Sequence, residues 1–463
     1  MRNWIETALA AAQDLPGADR GCVVILTETH EANVRWANNA LTTNGQMHRI
    51  SAEAVALAGV EGGIASGCLQ GPVTDAEQVV DLVRRAAAIA AAGAPDADAH
   101  DLPGGSVDSD FDEPAATTSF DVFADLAADL GAAFEQAGDQ HLLFGFAEHT
   151  VTTTWLGSST GARRRAVGRT GRLELNAKHP DMVGSAWVGQ STADFTDVDM
   201  SAKVAEALER LSWSANRVDL PAGRYEVILP PSAVADLMIY AYWSMAGRDA
   251  REGQSVFAGP DASTRVGERL APIGLDMWSD PAAPGLERPQ FVATGASQAG
   301  LFSVYDNGAD VGRVDWLTGG RLATLVETSH EQQANGLTGP LPHPTDNLFI
   351  DGHGTADLQE MVASTQRGLL LTCLWYVREV DPETLLLTGL TRDGVYLVEN
   401  GKIVGAVNNF RWNESPVGLL GRISEVGRAE RTLCREWNDW FNLTVAPALR
   451  VPDFNMSTVS QAS

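Results

Sequence analysis

The chain has 463 residues, which is too long for one compact core and predicts two or three domains. Its 60 acidic and 33 basic residues give a formal net charge of −27, which repels nucleic acid and anionic membrane surfaces. The sequence has no uncharged apolar run approaching the roughly 18 residues of a membrane span. Four isolated cysteines suit reduced thiols better than a disulfide framework. We expect a cytoplasmic globular protein with no nucleic-acid or membrane role.

The first elements alternate between helix and strand patterns. An amphipathic helix is predicted to end before Pro16, and Glu6 interrupts its apolar run too early for a signal sequence. The β-branched run GCVVILTET predicts a strand. The segment VRWANNALTTNGQMHRISAEAVALA predicts two further strands, and Asn44-Gly45 is a typical hairpin turn between them.

Helices and loops follow in the rest of the first half. Thr74 and Glu77 have the spacing of a capping box before a helix that ends at Gly93. Residues 94–118 are rich in Asp, Pro, Gly and Ser, and predict an acidic, flexible surface loop. Another helix is predicted to start near Ser201. Between the helix that ends at Gly93 and this one, a further helix with a buried stripe is predicted from the spacing of Phe120, Phe123, Leu126, Leu130 and Phe134.

A boundary rich in proline and glycine lies near residue 220, in LPAGRYEVILPP. Strand-like runs and turns predominate after it. The pattern therefore predicts an α+β protein with two domains. Residues 1–219 form an α/β domain, and residues 220–463 form a mostly β domain.

Two fragments approach the zinc-binding pattern HExxH but lack its second histidine. HEANV begins at His30, and HEQQA begins at His330. Glu331, His343 and His353 follow His330 in a loop-like region that could line a groove. Because these residues have no recognised ligand spacing, solvated loop side chains are the competing interpretation.

The glycine-rich segments 62–67 and 159–172 lack the GxxxxGK[ST] arrangement of a phosphate-binding loop. The second segment contains Arg163, Arg164 and Arg165. This cluster has two interpretations, which are contact with an acidic partner or peptide carboxylate, and a solvated strand turn.

Several short motifs occur in a fixed order along the chain. They are ANNALTTNG from Ala37, SSTG from Ser158, SAWVG from Ser185, SVFAG from Ser255, YLVENGKI from Tyr396 and the terminal MSTVSQA. In combination they resemble the TldD/TldE (PmbA) family, from about residue 20 to the end. The resemblance implies a β-rich C-terminal domain and a cytoplasmic zinc-dependent protease that is assembled from TldD and TldE subunits and acts on unfolded or extended peptides.

In the TldD type, a helix before the equivalent of SVFAG carries HExxxH, and a cysteine nearer the C-terminus completes the zinc site. Here the corresponding positions fall close to Met238, Ile239 and Trp243. Asp236 is the one carboxylate between residues 232 and 247, and this window has no histidine. A catalytic zinc needs about three ligands and a carboxylate that takes the proton of its bound water. The sequence therefore predicts a packing helix in place of a catalytic one.

Cys434 lies roughly where the family's cysteine ligand should fall, but RTLCREWNDWF differs from the glycine-rich setting of that ligand. A buried small residue is the competing interpretation for Cys434, and more so for Cys373. Nothing in the sequence pairs either cysteine with a histidine as a thiol protease would require.

We therefore expect a TldE/PmbA-like subunit that is itself non-catalytic and has no cofactor, with zinc held by a TldD-type partner. The expected assembly is a heterodimer or a higher heteromer, with a homodimer as an alternative, and its substrates are peptides. The aromatic residues Tyr240, Tyr242 and Trp243 are candidates for partner contact or core support. Two alternatives stay open. One is an independent metal-dependent peptidase built on His330, Glu331, His343 or Cys434, and the other is a non-enzymatic peptide-binding scaffold.

Overall fold

The computed structural model describes residues 1–298 and 300–460, so Gln461 and Ala462 of the terminal motif lie outside the described residues. The fold is α+β, as the sequence predicts, with an N-terminal antiparallel sheet and a larger mixed C-terminal sheet. None of the helices in these two ranges is long and apolar enough to cross a membrane. The helices are α1 Arg2–Ala12, α2 Ala76–Ala92, α3 Ala124–Ala137, α4 Met200–Ser212, α5 Pro231–Trp243, α6 Gly247–Arg251, α7 Ser329–Ala334, α8 Leu358–Ala363 and α9 Pro416–Leu420.

The N-terminal sheet has six strands within the described residues, in the order β3-β2-β1-β4-β5-β6. They are β1 Gly21–Ala37, β2 Ala40–Val60, β3 Gly63–Pro72, β4 Leu142–Ser158, β5 Arg163–Lys178 and β6 Ser185–Thr192. Helices α1 and α2 bury their apolar faces against one part of this sheet, and α3 and α4 cover another part. Strand β6 is an edge strand of the sheet.

The hairpin turn between β1 and β2 lies at Asn38-Asn39 and not at Asn44-Gly45, so the sequence prediction was wrong here. Both asparagines have positive φ, 52° and 60°, which a tight turn matching the strand twist requires. The side chain of Asn39 also donates to the carbonyl oxygens of Gly138 and His141, at 2.9 and 2.8 Å. These tertiary contacts stabilise the turn, and Asn44-Gly45 becomes part of strand β2.

The start of α2 also differs from the sequence prediction. Asp75, not Thr74, is the N-cap, and its carboxylate accepts a hydrogen bond from the backbone N–H of Gln78 at 2.9 Å. Asp is as effective an N-cap as Thr or better, so the helix begins one residue later. The end is as predicted, because Gly93 is the C-cap.

Residues 94–118 contain neither helix nor strand, but they are anchored along their length. Leu102 and Phe111 are buried in the hydrophobic cores of the N-terminal half. Asp108 and Asp110 form ion pairs with Arg164 and Arg165 at 3.1 and 2.8 Å. The segment is therefore a packed strap across the N-terminal sheet.

The same contacts explain the arginine cluster. Arg163 forms two hydrogen bonds of 2.8 Å with Glu6 of α1, while Arg164 also pairs with Asp310 at 2.7 Å. Neither a partner surface nor a solvated turn describes this arrangement. The cluster neutralises acidic side chains within the chain itself.

The C-terminal sheet has fourteen strands within the described residues and begins at Arg217, shortly before the predicted domain boundary at 219/220, which stays a prediction. Strand β20 pairs with four other strands, and α5 packs against it. The strands are β7 Arg217–Val218, β8 Gly223–Leu229, β9 Asp276–Ser279, β10 Val314–Thr318, β11 Arg321–Leu322, β12 Leu348–Asp351, β13 Arg367–Leu371, β14 Leu374–Asp381, β15 Leu386–Thr391, β16 Val395–Glu399, β17 Lys402–Val407, β18 Phe410–Glu414, β19 Glu425–Thr432 and β20 Thr444–Val459.

Candidate functional site

Helix α5 occupies the position in which the family resemblance would place HExxxH. Met238 and Ile239 are 1% and 0% exposed and lie in the largest hydrophobic core of the chain. Trp243, at the end of the helix, is half-buried, with its ring centroid 5.2 Å from that of Trp437. A helix that is apolar on all sides is a core element, and this one has no histidine or cysteine to offer a zinc ion.

The aromatic residues of α5 differ in how deeply they are buried. Tyr242 is 2% exposed, and its hydroxyl donates to the carbonyl oxygen of Thr345 at 2.8 Å. Tyr240 is half-buried, with its ring centroid 5.6 Å from that of Trp437. Tyr242 therefore supports the core and is not available to a partner, while Tyr240 and Trp243 lie at the margin of the core.

Asp236 is the one acidic side chain on α5, and it is fully buried. Its Oδ1 accepts a hydrogen bond of 2.8 Å from the backbone N–H of Glu436, and its backbone carbonyl accepts one of 2.8 Å from the indole of Trp437. Its Oδ2 has no hydrogen-bond partner. Burial raises the pKa of Asp236 well above its usual range, because an uncompensated buried carboxylate is disfavoured relative to the neutral carboxyl. It acts as an anchor for the segment that contains Cys434.

Cys434 is buried in the same hydrophobic core as the apolar residues of α5. Its thiol donates to the carbonyl oxygen of Phe441 at 2.7 Å. Burial raises the pKa of this thiol well above its usual range, and burial also raises that of Cys373. Because the thiolate is the form that binds metal and attacks substrates, neither cysteine is poised for such chemistry.

Two of the candidate ligands, His330 and Glu331, lie near the strap. Glu331 completes a capping box with Thr328, and its Oε1 lies 2.6 Å from Nε of Arg248. The imidazole of His330 is 4.0 Å from Asp98, a strap residue that pairs with Arg248 at 2.6 Å. Glu331 is therefore held in a network that joins the strap to the C-terminal half.

His343 is in a different environment. Its ring lies edge-on to Phe302, with centroids 5.6 Å apart, and burial lowers its pKa to about 4. No three of the residues His330, Glu331, His343 and Cys434 have ligand atoms within 4.8 Å of one another. The described structure therefore does not bring these four residues together as a set of metal ligands. It leaves His353 73% exposed beside Asp276 and Asp351.

A groove of about 870 Å³ opens between the two sheets. Its lining includes Gly189, Gln190 and Ser191 of the edge strand β6 and Arg431 of the edge strand β19. Lys203, Arg210, Lys402 and Arg428 add further positive charge, and Asp197, Glu206, Glu209, Asp357 and Glu430 add negative charge.

Some charged side chains of this groove form ion pairs or caps within the chain, and others do not. Glu206 pairs with both Lys203 and Arg210, and Asp357 caps α8. Arg431 donates from Nε to the hydroxyl of Ser191 at 2.9 Å, while its buried Nη2 has no hydrogen-bond partner.

Burial also lowers the pKa of Arg431. Among the residues that the structure describes, Lys402, Arg428 and Arg431 form no ion pair with an acidic side chain. The lining therefore includes cations that no described acidic side chain neutralises through an ion pair.

The sequence reasoning missed this groove because its lining comes from distant segments. One signal was present, since the chain has only three lysines and two of them, Lys203 and Lys402, line the groove. SAWVG was noted as a family motif, but its place on an edge strand was not apparent from the sequence.

Exposed aromatic side chains occur on the segment that α5 anchors and on strand β14, which this segment contacts. Trp440 is 71% exposed and its backbone N–H donates to the carbonyl of Trp437 at 2.9 Å. Tyr376 is 58% exposed, and its backbone N–H donates to Glu436 at 2.9 Å. Val380 is 54% exposed on the same strand as Tyr376. We call Trp440, Tyr376 and Val380 the apolar rim.

Residues 222–458, just over half of the chain, match the model of the PmbA/TldA metallopeptidase C-terminal domain. No curated protein matches the chain. Among solved structures, TldE from Thermococcus kodakarensis is similar, with a TM-score of 0.78 and 16% identity over 98% of this chain and 99% of that chain.

Two further structures are similar over nearly their whole lengths. One is a proposed modulator of a DNA gyrase from Thermotoga maritima, with a TM-score of 0.73 and 16% identity over 98% of this chain and 99% of that chain. The other is a proposed modulator of DNA gyrase from Bacteroides thetaiotaomicron, with a TM-score of 0.74 and 14% identity over 99% of each chain. At such identities the likeness shows a common fold.

Proposed function

Because this chain belongs to the PmbA/TldD metallopeptidase family, we propose that it is the TldE-like, non-catalytic subunit of a heteromeric zinc metalloprotease acting on unfolded or extended peptides. The observation that carries the proposal is the packing of α5. In the place where the resemblance expects zinc ligands and a base, the helix has Met238 and Ile239 in a closed core.

A catalytic zinc does not fit the residues around α5. Zinc needs deprotonated ligands that converge on an open position. Asp236 is buried with a raised pKa, and the thiol of Cys434 is buried and donates to a backbone carbonyl. We therefore assign the zinc and the hydrolytic step to a TldD-type partner chain.

The role that we assign to this chain is to hold an extended peptide in the groove between the sheets. Edge strands bind extended peptides by backbone pairing, and β6 and β19 both face the groove. Unpaired Lys402, Arg428 and Arg431 favour peptides with acidic side chains or a free carboxylate. The N–H groups of a bound strand would supply sequence-independent affinity, and the cations would select its charge.

We assign the partner contact to the apolar rim. Large apolar side chains that are this exposed are typical of the centres of protein interfaces, where tryptophan and tyrosine contribute most. The rim also neighbours Tyr240 and Trp243 through Trp437, so a partner bound there would lie next to the helix that replaces the catalytic one.

Co-expression with a TldD-type chain that has an intact HExxxH tests the proposal. We expect a stable complex that cleaves an unstructured peptide, whereas this chain alone does not. Trp440→Ser should weaken assembly by at least about tenfold, because truncating an interface tryptophan commonly costs about 2 kcal/mol or more. Val459→Ser is the matched control, since Val459 is 47% exposed and outside the rim.

Three outcomes would contradict the proposal. The first is the absence of any complex, which would favour a peptide-binding scaffold or a homodimer. The second is peptide cleavage by this chain alone, abolished by His330→Gln or Cys434→Ser, which would favour an independent peptidase. The third is equal loss of assembly in the Trp440 and Val459 variants, which would exclude the apolar rim as the contact.

A further inference from the structure

Two histidines and a glutamate converge on the long β1–β2 hairpin of the N-terminal sheet. His30 on β1 lies directly opposite His48 on β2. Glu28 is two residues before His30, so its side chain is on the same face of the sheet. Oε1 of Glu28 is 3.1 Å from Nε2 of His30 and 2.9 Å from Nε2 of His48. His30 was noted in the sequence for HEANV, but its partner is supplied by the facing strand.

The three ligand atoms lie within 4.8 Å of one another, and they form the one such group in the part of the chain that the structure describes. Zinc binds imidazole nitrogen and carboxylate oxygen at about 2.0–2.2 Å, which in tetrahedral geometry separates the ligand atoms by about 3.3–3.5 Å. The observed separations from Oε1 are therefore only a few tenths of an ångström too short. The chain thus presents a nearly preformed triangle of donors.

The rings need one adjustment before both nitrogens can face an ion. They are stacked, with centroids 4.4 Å apart and planes 18° apart, whereas ligand lone pairs must converge. The side chain of His48 is 52% exposed, while Glu28 and His30 are more enclosed, at 13% and 19%. Rotation of the exposed ring opens the triangle with little disturbance of the sheet.

The surroundings admit a cation and favour it. Glu28 and His30 line a cavity of about 390 Å³ together with strap residues 111–115 and 117. Asp112 and Glu113 of the strap contribute negative charge there, and Arg2 is paired with Asp112 at 2.5 Å. Together with the net charge of −27, this arrangement attracts divalent cations.

We propose that Glu28, His30 and His48 form a binding site for a divalent transition-metal ion of the zinc type. Two imidazoles with one carboxylate suit zinc and its neighbours, whereas magnesium and calcium require sets of oxygen ligands. The site lies on the N-terminal sheet and uses no residue of α5 or of the groove between the sheets. Because one ligand is half exposed, the ion exchanges with solvent.

Titration of the tag-free full-length chain with Zn²⁺, followed by calorimetry, and with Co²⁺, followed by absorption spectroscopy, tests the site. We expect about one ion per chain and a cobalt spectrum typical of coordination by nitrogen and oxygen. His48→Gln, His30→Gln and Glu28→Gln should each weaken binding by at least about tenfold. Loss of a residue that merely orients a ligand typically costs about 10–100-fold in metal affinity, and we expect loss of a ligand itself to cost at least as much.

His179→Gln is the matched control. His179 and His141 form another neighbouring pair, with ring centroids 6.0 Å apart, but they belong to no such ligand group. Unchanged binding in this variant supports the site. Absent binding, or equal loss in the control, overturns it. His48→Gln keeps the test decisive if the more enclosed variants fail to fold, because its side chain is exposed. Zinc bound here leaves the test of the partner complex unaffected, since that test concerns assembly and peptide cleavage.

Discussion

Helix α5 and the groove between the sheets are two regions that a peptidase subunit would use, and they are built in opposite ways. Around α5 the side chains are apolar, tightly packed and closed to solvent, and burial raises the pKa of Asp236. The groove is open, lined by two edge strands and rich in charged side chains. The contrast is between a helix whose side chains pack the core and an open, charged surface to which the proposed function assigns peptide binding.

The largest effect is expected when the glutamate of HExxxH is placed in the packed helix α5. Ile239→Glu would bury a carboxyl at a position with 0% exposure, and we expect a loss of more than about 4 kcal/mol in the free energy of unfolding. Ile239→Val should cost only about 1 kcal/mol and is the control. Urea unfolding measures both. A glutamate variant within about 1 kcal/mol of the parent would show that α5 is open enough to hold ligands.

Substitutions of Asp236 test the packing of α5 with a smaller expected effect on stability. Asp236→Leu leaves the backbone N–H of Glu436 without its acceptor, and we expect a cost of about 1–3 kcal/mol. Asp236→Asn keeps the acceptor without a charge and should be at least as stable as the parent at neutral pH.

The pH dependence of the Asp236→Asn variant checks the sign of this effect. Burial raises the pKa of Asp236, so above its usual value of 3.8 the unfolded chain releases a proton that the folded chain retains. The contribution of Asp236 to stability therefore falls as pH rises from about 4 to the folded pKa, and the advantage of the asparagine variant grows over that range. Asp139→Asn, at an exposed position, is the control. An advantage that shrinks with rising pH would mean that Asp236 is ionised in the fold.

The smallest expected effect concerns the groove. Arg431→Gln should weaken binding of an acidic, unstructured peptide by about tenfold, which is about 1.4 kcal/mol, because a charge-assisted hydrogen bond is lost. Fluorescence anisotropy with a labelled peptide measures this. Arg367→Gln is the control, since Arg367 lies outside the groove lining and its side chain is 67% exposed. Equal losses in both variants would indicate general charge attraction rather than a site between the sheets.

Much of this protein was determined by local sequence. The periodicity of apolar residues predicted the α+β class, and Gly93 was correctly assigned to the end of α2. The absence of histidine from residues 232–247 was enough to predict a packing helix, because ligand chemistry depends on residue type before geometry. These features depend on residues that are close together in the chain.

Tertiary structure decided what depends on contacts between distant segments. The turn at Asn38-Asn39 is held by backbone groups roughly 100 residues away. The strap is ordered by arginines of β5, although its composition is typical of a flexible loop. The groove between the sheets and the pairing of His30 with His48 likewise require strands to meet in one register. Composition and periodicity determine which elements form, but the free energy of their packing determines which side chains become neighbours.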